Sequence, residues 1–263
     1  MEREDETPAF WENFEKSNLA LRCAILHRYR RQVQEGKGAE EVQIVRRTFG
    51  QIFVKGYGIE LGAGSRPFPI PRSATCYYGD IRDRTGLEKY FGTYKVALSG
   101  EIDAQTLDDV AFDSLDFVIS AHVIEHLLNP FGAIKQTVRR LKRSGVFLLV
   151  VPELTQTWDR RRQSTSIEHL HADELDNGEG TYLQACIEHY RFIHPELTGE
   201  ELPEDEIQKR ARILYEQRGN THLHAWTEAA FYEMLVHLSR STEFSVEARL
   251  SAVNENLYVL RRL

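Results

Sequence analysis

The stretch Ile59-Glu60-Leu61-Gly62-Ala63-Gly64-Ser65 constrains this chain more than any other. An apolar run ends on an acid, and two glycines follow. That is a strand running into a tight turn, where main chain rather than side chain meets a ligand. A second short apolar run ends on another acid, Asp80. A glycine turn followed by a later acid is how an open α/β sheet holds a nucleoside at the carboxyl ends of its strands. The dinucleotide fingerprint Gly-x-Gly-x-x-Gly is broken, because Pro67 stands at its third glycine. Proline has no amide hydrogen and cannot supply the close helix–strand contact of that glycine. This counts against a nicotinamide or flavin cofactor.

The rest of the chain reads as alternating elements. Residues 8 to about 35 and 39 to 53 pattern as leader helices. Strands are expected at Tyr57–Leu61, Thr75–Tyr78, Val96–Ser99, Phe117–Ser120 and Val146–Val151. The last is a continuous apolar run of the kind buried on both faces. A helix over about 130–142 separates the final two strands, and such alternation implies a parallel sheet. After Pro152 the pattern turns polar, with helical pieces near 180–193 and 204–218. An amphipathic helix, Thr227–Ser239, then leads to two closing strands, Phe244–Leu250 and Leu257–Leu260, joined by a turn containing Asn254-Glu255-Asn256. Residues 1–54 thus form an N-terminal helical cap, 55–152 with 222–263 a nucleotide-binding core, and 153–221 a helical insert covering an acceptor pocket.

At 263 residues, 41% hydrophobic and 28% charged, the chain can bury a core. Its net charge of −7 with no extended basic run argues against a nucleic-acid partner. Cys23, Cys76 and Cys186 form neither a disulfide framework nor a Cys-x-x-Cys metal site. No stretch reaches membrane-spanning length, and the acidic start is unlike a signal peptide. A soluble, cytoplasmic protein is expected, with a homo-oligomer left open.

The second strong signal is Ser120-Ala121-His122-Val123-Ile124-Glu125-His126-Leu127, directly after the strand Asp116–Ile119. Treated as a helix at about 100° per residue, it places His122, Glu125, His126 and Asn129 on one arc. Val123, Ile124, Leu127 and Leu128 take the opposite face. The polar arc would look into a pocket at a strand's carboxyl end. His122 and His126, four apart, have a spacing that can hold a metal. No third ligand follows from spacing, and Glu125 is misplaced for a zinc-peptidase motif, so no metal is expected.

Together, the acid-x-Gly-x-Gly turn of Glu60–Gly64 and the Ser-x-His-Val-x-Glu-His segment resemble the class I S-adenosylmethionine-dependent methyltransferases, and within them a bacterial small-molecule subgroup. Ser65 and Pro67 depart from the first motif. The resemblance covers roughly residues 55–152 and 222–263. It implies an α/β fold: a doubly wound, seven-stranded, mostly parallel sheet with one antiparallel strand, an N-terminal helical leader and a helical insert after the fifth strand. It implies S-adenosyl-L-methionine as cofactor. Glu60, Gly62, Ala63, Gly64 and Ser65 would form the turn beneath it. Asp80 and Ile81 would meet the ribose, with Asp83 a competitor able to cap the next helix. Asp103 and Ala104 would meet the adenine, and Ser120 and His122 would flank the cofactor.

Histidine suits general-base work because it titrates near neutrality. His126 or His122 is the candidate base, with His169 a further candidate on the acceptor side. Arg160 and Arg162, in the cluster Asp159–Arg162, could grip an anionic group of the substrate. His222 and His224 would line the pocket from the far side. The leading reading is O-methylation of a small polar acceptor, sugar-like or a secondary metabolite. Two alternatives stay open: intramolecular cyclisation that consumes S-adenosylmethionine without an acceptor, and a non-catalytic cofactor-binding module.

Overall fold

A computed structural model of the protein describes residues 39–263. The leader helix expected over residues 8–35 lies outside them. The first described helix, α1 (Ala39–Phe53), precedes a seven-stranded sheet of order β3-β2-β1-β4-β5-β7-β6. The strands are β1 (Tyr57–Leu61), β2 (Thr75–Asp80), β3 (Gly100–Glu101), β4 (Leu115–Ala121), β5 (Leu141–Pro152), β6 (Phe244–Ala252) and β7 (Glu255–Arg262). All neighbours pair in parallel except β7, which runs antiparallel to β5 and to β6. This is the expected doubly wound sheet with one reversed strand.

Successive side chains of a strand point to opposite faces, so each central strand feeds two cores. Val118 of β4 and Phe147 and Leu149 of β5 pack under α3 (Pro130–Arg140) and α8 (Glu228–Leu238). Phe117, Ile119, Leu148 and Val150 face the other way, onto Val45, Phe49 and Ile52 of α1. Local chemistry sets the helix boundaries. Asn129 accepts the Gly132 amide at 2.8 Å and Pro130 fills the first turn of α3. Thr227 caps α8 through the Ala230 amide. Asp83 caps α2 (Arg84–Phe91) through the Gly86 amide, and Gly92 in the left-handed region ends it.

The segment after β5 folds into α4 (Ile167–Asp176), α5 (Glu179–Glu188), a π-helical turn (His189–Ile193), α6 (His194–Thr198) and α7 (Glu204–Glu216). Tyr182, Ala185 and Cys186 of α5, Ala211 of α7 and Leu223 form its own small core. Two expectations need correcting. Val96–Ser99 is not a strand: the third strand is only Gly100–Glu101, because the Ser99 amide and hydroxyl both turn onto Tyr78 of β2. Glu255 and Asn256 are not turn residues but open β7, paired with Pro152 and Val151.

Candidate active site

The register puts the strand tips level. Leu61 of β1 lies beside Gly79 of β2 and Ser120 of β4, and Ala121 beside Val150 of β5. Gly62, Asp80 and His122 therefore leave the sheet at one edge, the carboxyl edge at which open α/β sheets bind ligands. Gly62 and Gly64 have φ of +67° and +55°. A Cβ at Gly62 would strike Val123, and one at Gly64 would strike the Phe91 ring. The turn therefore needs glycine for both conformation and space. Gly62 donates to the Gly79 carbonyl and Ala97 to the Gly64 carbonyl. Among the described residues, the Ala63 and Gly64 amides have no acceptor. Main-chain donors left open at a strand tip fit the carboxylate and nucleoside of S-adenosylmethionine.

Glu60 does not reach that ligand edge. Its carboxylate is 1% exposed and both oxygens accept the Phe68 amide, at 2.8 and 3.0 Å. Burial pushes the carboxyl up to about 7, against the Phe68 amide and the Arg46 charge, which lower it. Glu60 clamps the Ser65–Phe68 loop, whose Phe68 ring is buried with Phe49 under α1. That explains why Pro67 is tolerated: the loop folds back across the sheet instead of entering a helix.

Asp80 ends β2, buried, with Oδ1 accepting the Arg82 amide at 2.9 Å. Its second oxygen faces no described donor. Ile81 beside it is 66% exposed. Asp83 is spent on its helix cap. Asp103 is exposed after β3, with Oδ1 on the Gln105 amide, and Ala104 follows it, half-buried. Ser120 is buried in β4. Asp80, Ile81 and Asp103 thus follow β2 and β3 at the carboxyl edge of the sheet.

The segment after β4 is not the expected helix. His122 sits at φ +57°, a 3-10 turn covers only Ile124–His126, and Leu127 is already extended. The single polar arc of four residues therefore does not form, and Asn129 serves α3 as its cap. His122 is instead held from three sides. Its amide donates to the Val150 carbonyl at 2.9 Å. Its Nε2 lies 2.9 Å from Glu255 Oε2, and its Nδ1 lies 3.6 Å from Glu125 Oε1. Glu255, buried at the start of β7, also accepts Arg46 of α1 through Nε at 2.9 Å and Nη2 at 2.6 Å. Burial would raise the Glu255 carboxyl, but the hydrogen bonds from His122 and Arg46 hold it below its ordinary value. Ionised Glu255 can only accept, so His122 Nε2 carries a proton toward it and Nδ1 is the ring nitrogen turned to the site.

Across from His122 lies a second group. The Glu125 carbonyl accepts the amides of Leu223 and His224, at 2.8 and 3.0 Å, which ties the turn after β4 to the segment after α7. His126 Nδ1 is 2.8 Å from the Thr221 carbonyl, so it donates there and leaves Nε2 bare. Burial lowers the His126 pKa. His222 packs edge-on against His126, ring centroids 4.7 Å apart. Its Nδ1 lies 2.6 Å from Asp159 Oδ2. Burial would lower His222, but Asp159 and Glu125 raise it. Asp159 is correspondingly held low by His222 and Arg162 against the effect of burial.

Several expected substrate contacts are corrected here. Arg162 is buried and fully engaged with Asp159, Glu188 and the carbonyls of His222 and Leu223, so it braces the site rather than gripping a ligand. Arg160 is exposed but paired with Glu196. His224 does not share a face with His222. It is buried on Trp226, with Nε2 on the Leu127 carbonyl at 3.0 Å, and burial drives its pKa well down. His169 lies beside it, 3.4 Å from Asp173, in the group with His224 rather than with His126. Arg46, Glu255 and the pairing role of Asp159 had no sequence signal, since each acts on a residue remote in the chain.

Two groups bring three cation-binding atoms within 4.8 Å of one another: Glu125 with His126 and His222, and Asp173 with His169 and His224. Among the described residues no helix is long and apolar enough to cross a membrane.

The sheet order and the glycine turn after β1 are those of the Rossmann-like methyltransferase fold. Residues 88–149 match the family model described as "Methyltransferase domain". The match runs from α2 into β5 and takes in the turn after β4. No protein of curated function matches the chain. A solved structure from Rhodobacter sphaeroides, described as a Zn-dependent alcohol dehydrogenase, is similar at 15% identity with TM-score 0.51, over 87% of this chain and 92% of that one. A likeness this remote shows the fold alone. An Aquifex aeolicus S-adenosylmethionine-dependent methyltransferase aligns at 9% identity and TM-score 0.46, over 88% and 97% of the two chains. The carbon methyltransferase CurJ aligns at 13% identity and TM-score 0.45 over 84% of this chain, which spans about half, 53%, of the CurJ chain.

Proposed function

We propose that the protein transfers the S-adenosylmethionine methyl group to a hydroxyl of a small polar acceptor, sugar-like or a secondary metabolite, with histidine assistance. One observation carries this reading. His122 stands at the tip of β4 in a left-handed conformation, its tautomer fixed by buried Glu255 and its Nδ1 facing Glu125. A non-glycine residue in that region costs of order 1–3 kcal/mol and persists only where its surroundings over-determine it. Such strain at a ligand edge is the mark of a side chain aimed for a purpose.

When bound, the cofactor supplies a methyl group already activated on a sulfonium. The chain then has to hold and align. Open amides at Ala63 and Gly64, with Asp80 and Asp103, orient the nucleoside, and Ile81 covers its apolar face. The acceptor hydroxyl lies against Glu125, His126 and His222. As the acceptor oxygen takes up the methyl group, with S-adenosylhomocysteine as the leaving product, His122 Nδ1 would take the hydroxyl proton, and Glu255 would balance the resulting imidazolium. The insert over 153–221 supplies Asp159 and Thr221 to this face, which supports its role as the cover of the acceptor pocket.

The test is a calorimetric titration with S-adenosylmethionine, followed by a panel of polyhydroxylated acceptors with S-adenosylhomocysteine as readout. His122→Asn preserves the backbone, because asparagine tolerates the left-handed region. It should lower kcat by roughly 10²–10⁴-fold, far more than it changes cofactor affinity. Methylthioadenosine formed without any acceptor would replace this reading with cyclisation. Failure to bind the cofactor would end it.

A further inference from the structure

The geometry points to a divalent transition-metal site formed by Glu125, His126 and His222, with open positions for an oxygen of the acceptor. The inference rests on the proposed acceptor pocket and specifies how that pocket holds its hydroxyl.

Four observations converge. First, Glu125 is 1% exposed, and among the described residues neither carboxylate oxygen has a hydrogen-bond partner. A buried, unpaired carboxylate is costly unless a cation or donor joins it. Second, its Oε1 lies 4.0 Å from His126 Nε2, and all three donor atoms lie within 4.8 Å of one another. Ligands each about 2.1 Å from one tetrahedral ion stand about 3.4 Å apart. The closer pair needs to close by about 0.6 Å and the most distant by at most about 1.4 Å, within reach of side-chain rotation.

Third, both histidines are oriented through their other ring nitrogen. His126 Nδ1 donates to the Thr221 carbonyl, and His222 Nδ1 faces Asp159, itself fixed by Arg162. Metal-binding histidines are held in this way, by a carbonyl or carboxylate on the far nitrogen. Fourth, the Glu125 carbonyl is bonded to the Leu223 and His224 amides, so the two chain segments that carry the ligands are fixed to each other. Packing alone explains none of these features together.

Two imidazoles and one carboxylate suit zinc, iron, cobalt or manganese in the divalent state rather than calcium or magnesium. Three protein ligands leave at least one position open, and binding displaces any proton on His222 Nε2. A hydroxyl entering that position would be acidified by the cation. His122, with Nδ1 3.6 Å from Glu125 Oε1, lies beside it to take the proton.

The test uses the full chain, stripped with a chelator and titrated with Co²⁺, with visible d–d absorption and calorimetry as readouts. Wild type should bind one equivalent at this site with the spectrum of a low-coordinate N,O complex. Glu125→Gln and His126→Gln should each weaken that binding at least 10-fold while leaving S-adenosylmethionine affinity within about 2-fold. Asp173→Asn should leave the equivalent in place. No Co²⁺ binding by wild type, or binding lost in Asp173→Asn and retained in Glu125→Gln, overturns the site. Cofactor affinity is read in the same samples, so failure of the metal site and failure of the methyltransferase pocket are separate results.

Discussion

Replacing Glu255 by glutamine tests the link between the first described helix and the candidate site. Glu255 is 2% exposed and joins Arg46 of α1 to His122 of β4. Glutamine keeps the volume and can still accept from His122, but it leaves the Arg46 guanidinium buried without a counter-charge. Removing one partner of a buried ion pair costs about 3–5 kcal/mol, a large share of the roughly 5–15 kcal/mol that holds a domain folded. Replacing Arg46 by methionine in the same chain removes the stranded charge, so Arg46→Met/Glu255→Gln should recover about 2 kcal/mol or more over the single variant. Urea unfolding followed by circular dichroism reads both. The acid limb supplies a second sign. The Glu255 carboxyl is held below its ordinary value, so its contribution is present above the unfolded pKa, near 4.5, and is lost as pH falls through the folded one. That limb should flatten in Glu255→Gln. A single variant within about 1 kcal/mol of wild type, or a double variant no more stable than the single, would refute the reasoning.

Glu60 gives the opposite pH signature. Its folded pKa is raised from 4.5 to about 7 by burial. The stability it contributes is fully present below pH 4.5 and falls by roughly 3 kcal/mol as pH rises through 7, and Glu60→Gln should abolish that slope. Equal slopes in the two proteins, measured by urea midpoints across that range, would contradict the burial argument. Gly64→Ala should weaken S-adenosylmethionine binding at least 10-fold and cost about 1–2 kcal/mol, because the new methyl meets the Phe91 ring in a left-handed backbone. Calorimetry with unaltered cofactor affinity would show that the turn does not carry the ligand.

Much of the sheet was legible because its signals are local. The apolar run at Val146–Val151 and the strand-then-glycine pattern at Tyr57–Gly64 each mark a buried strand within a few residues, and β1 falls where the pattern places it. Capping chemistry is equally local, as Asn129-Pro130 and Thr227 show. The helical arc over residues 122–129 failed for a physical reason. Apolar spacing fits a helix there, but the Leu223 and His224 amides take the Glu125 carbonyl and the Leu127 carbonyl takes His224 Nε2. Main-chain acceptors that a helix would have used internally are spent on a distant segment. Periodicity registers side-chain pattern and cannot register that competition.

The same limit governs the candidate site. Three stretches build it: 122–126 after β4, 159–162 after β5, and 221–224 before α8. Each carried a visible cluster of histidine, acid or arginine. Which cluster member faces the ligand depends on partners the sequence does not pair. Arg162 and His224 look as available in sequence as Arg160 and His222, yet buried acceptors claim them. Their engagement is what leaves His126 Nε2 and the Glu125 oxygens bare, since Asp159, Thr221 and Arg162 fix the imidazoles from behind. A site whose outer residues are saturated and whose inner ones are not has its unmet polar demand concentrated at one point, and that point is where an acceptor oxygen, alone or with a cation, satisfies it.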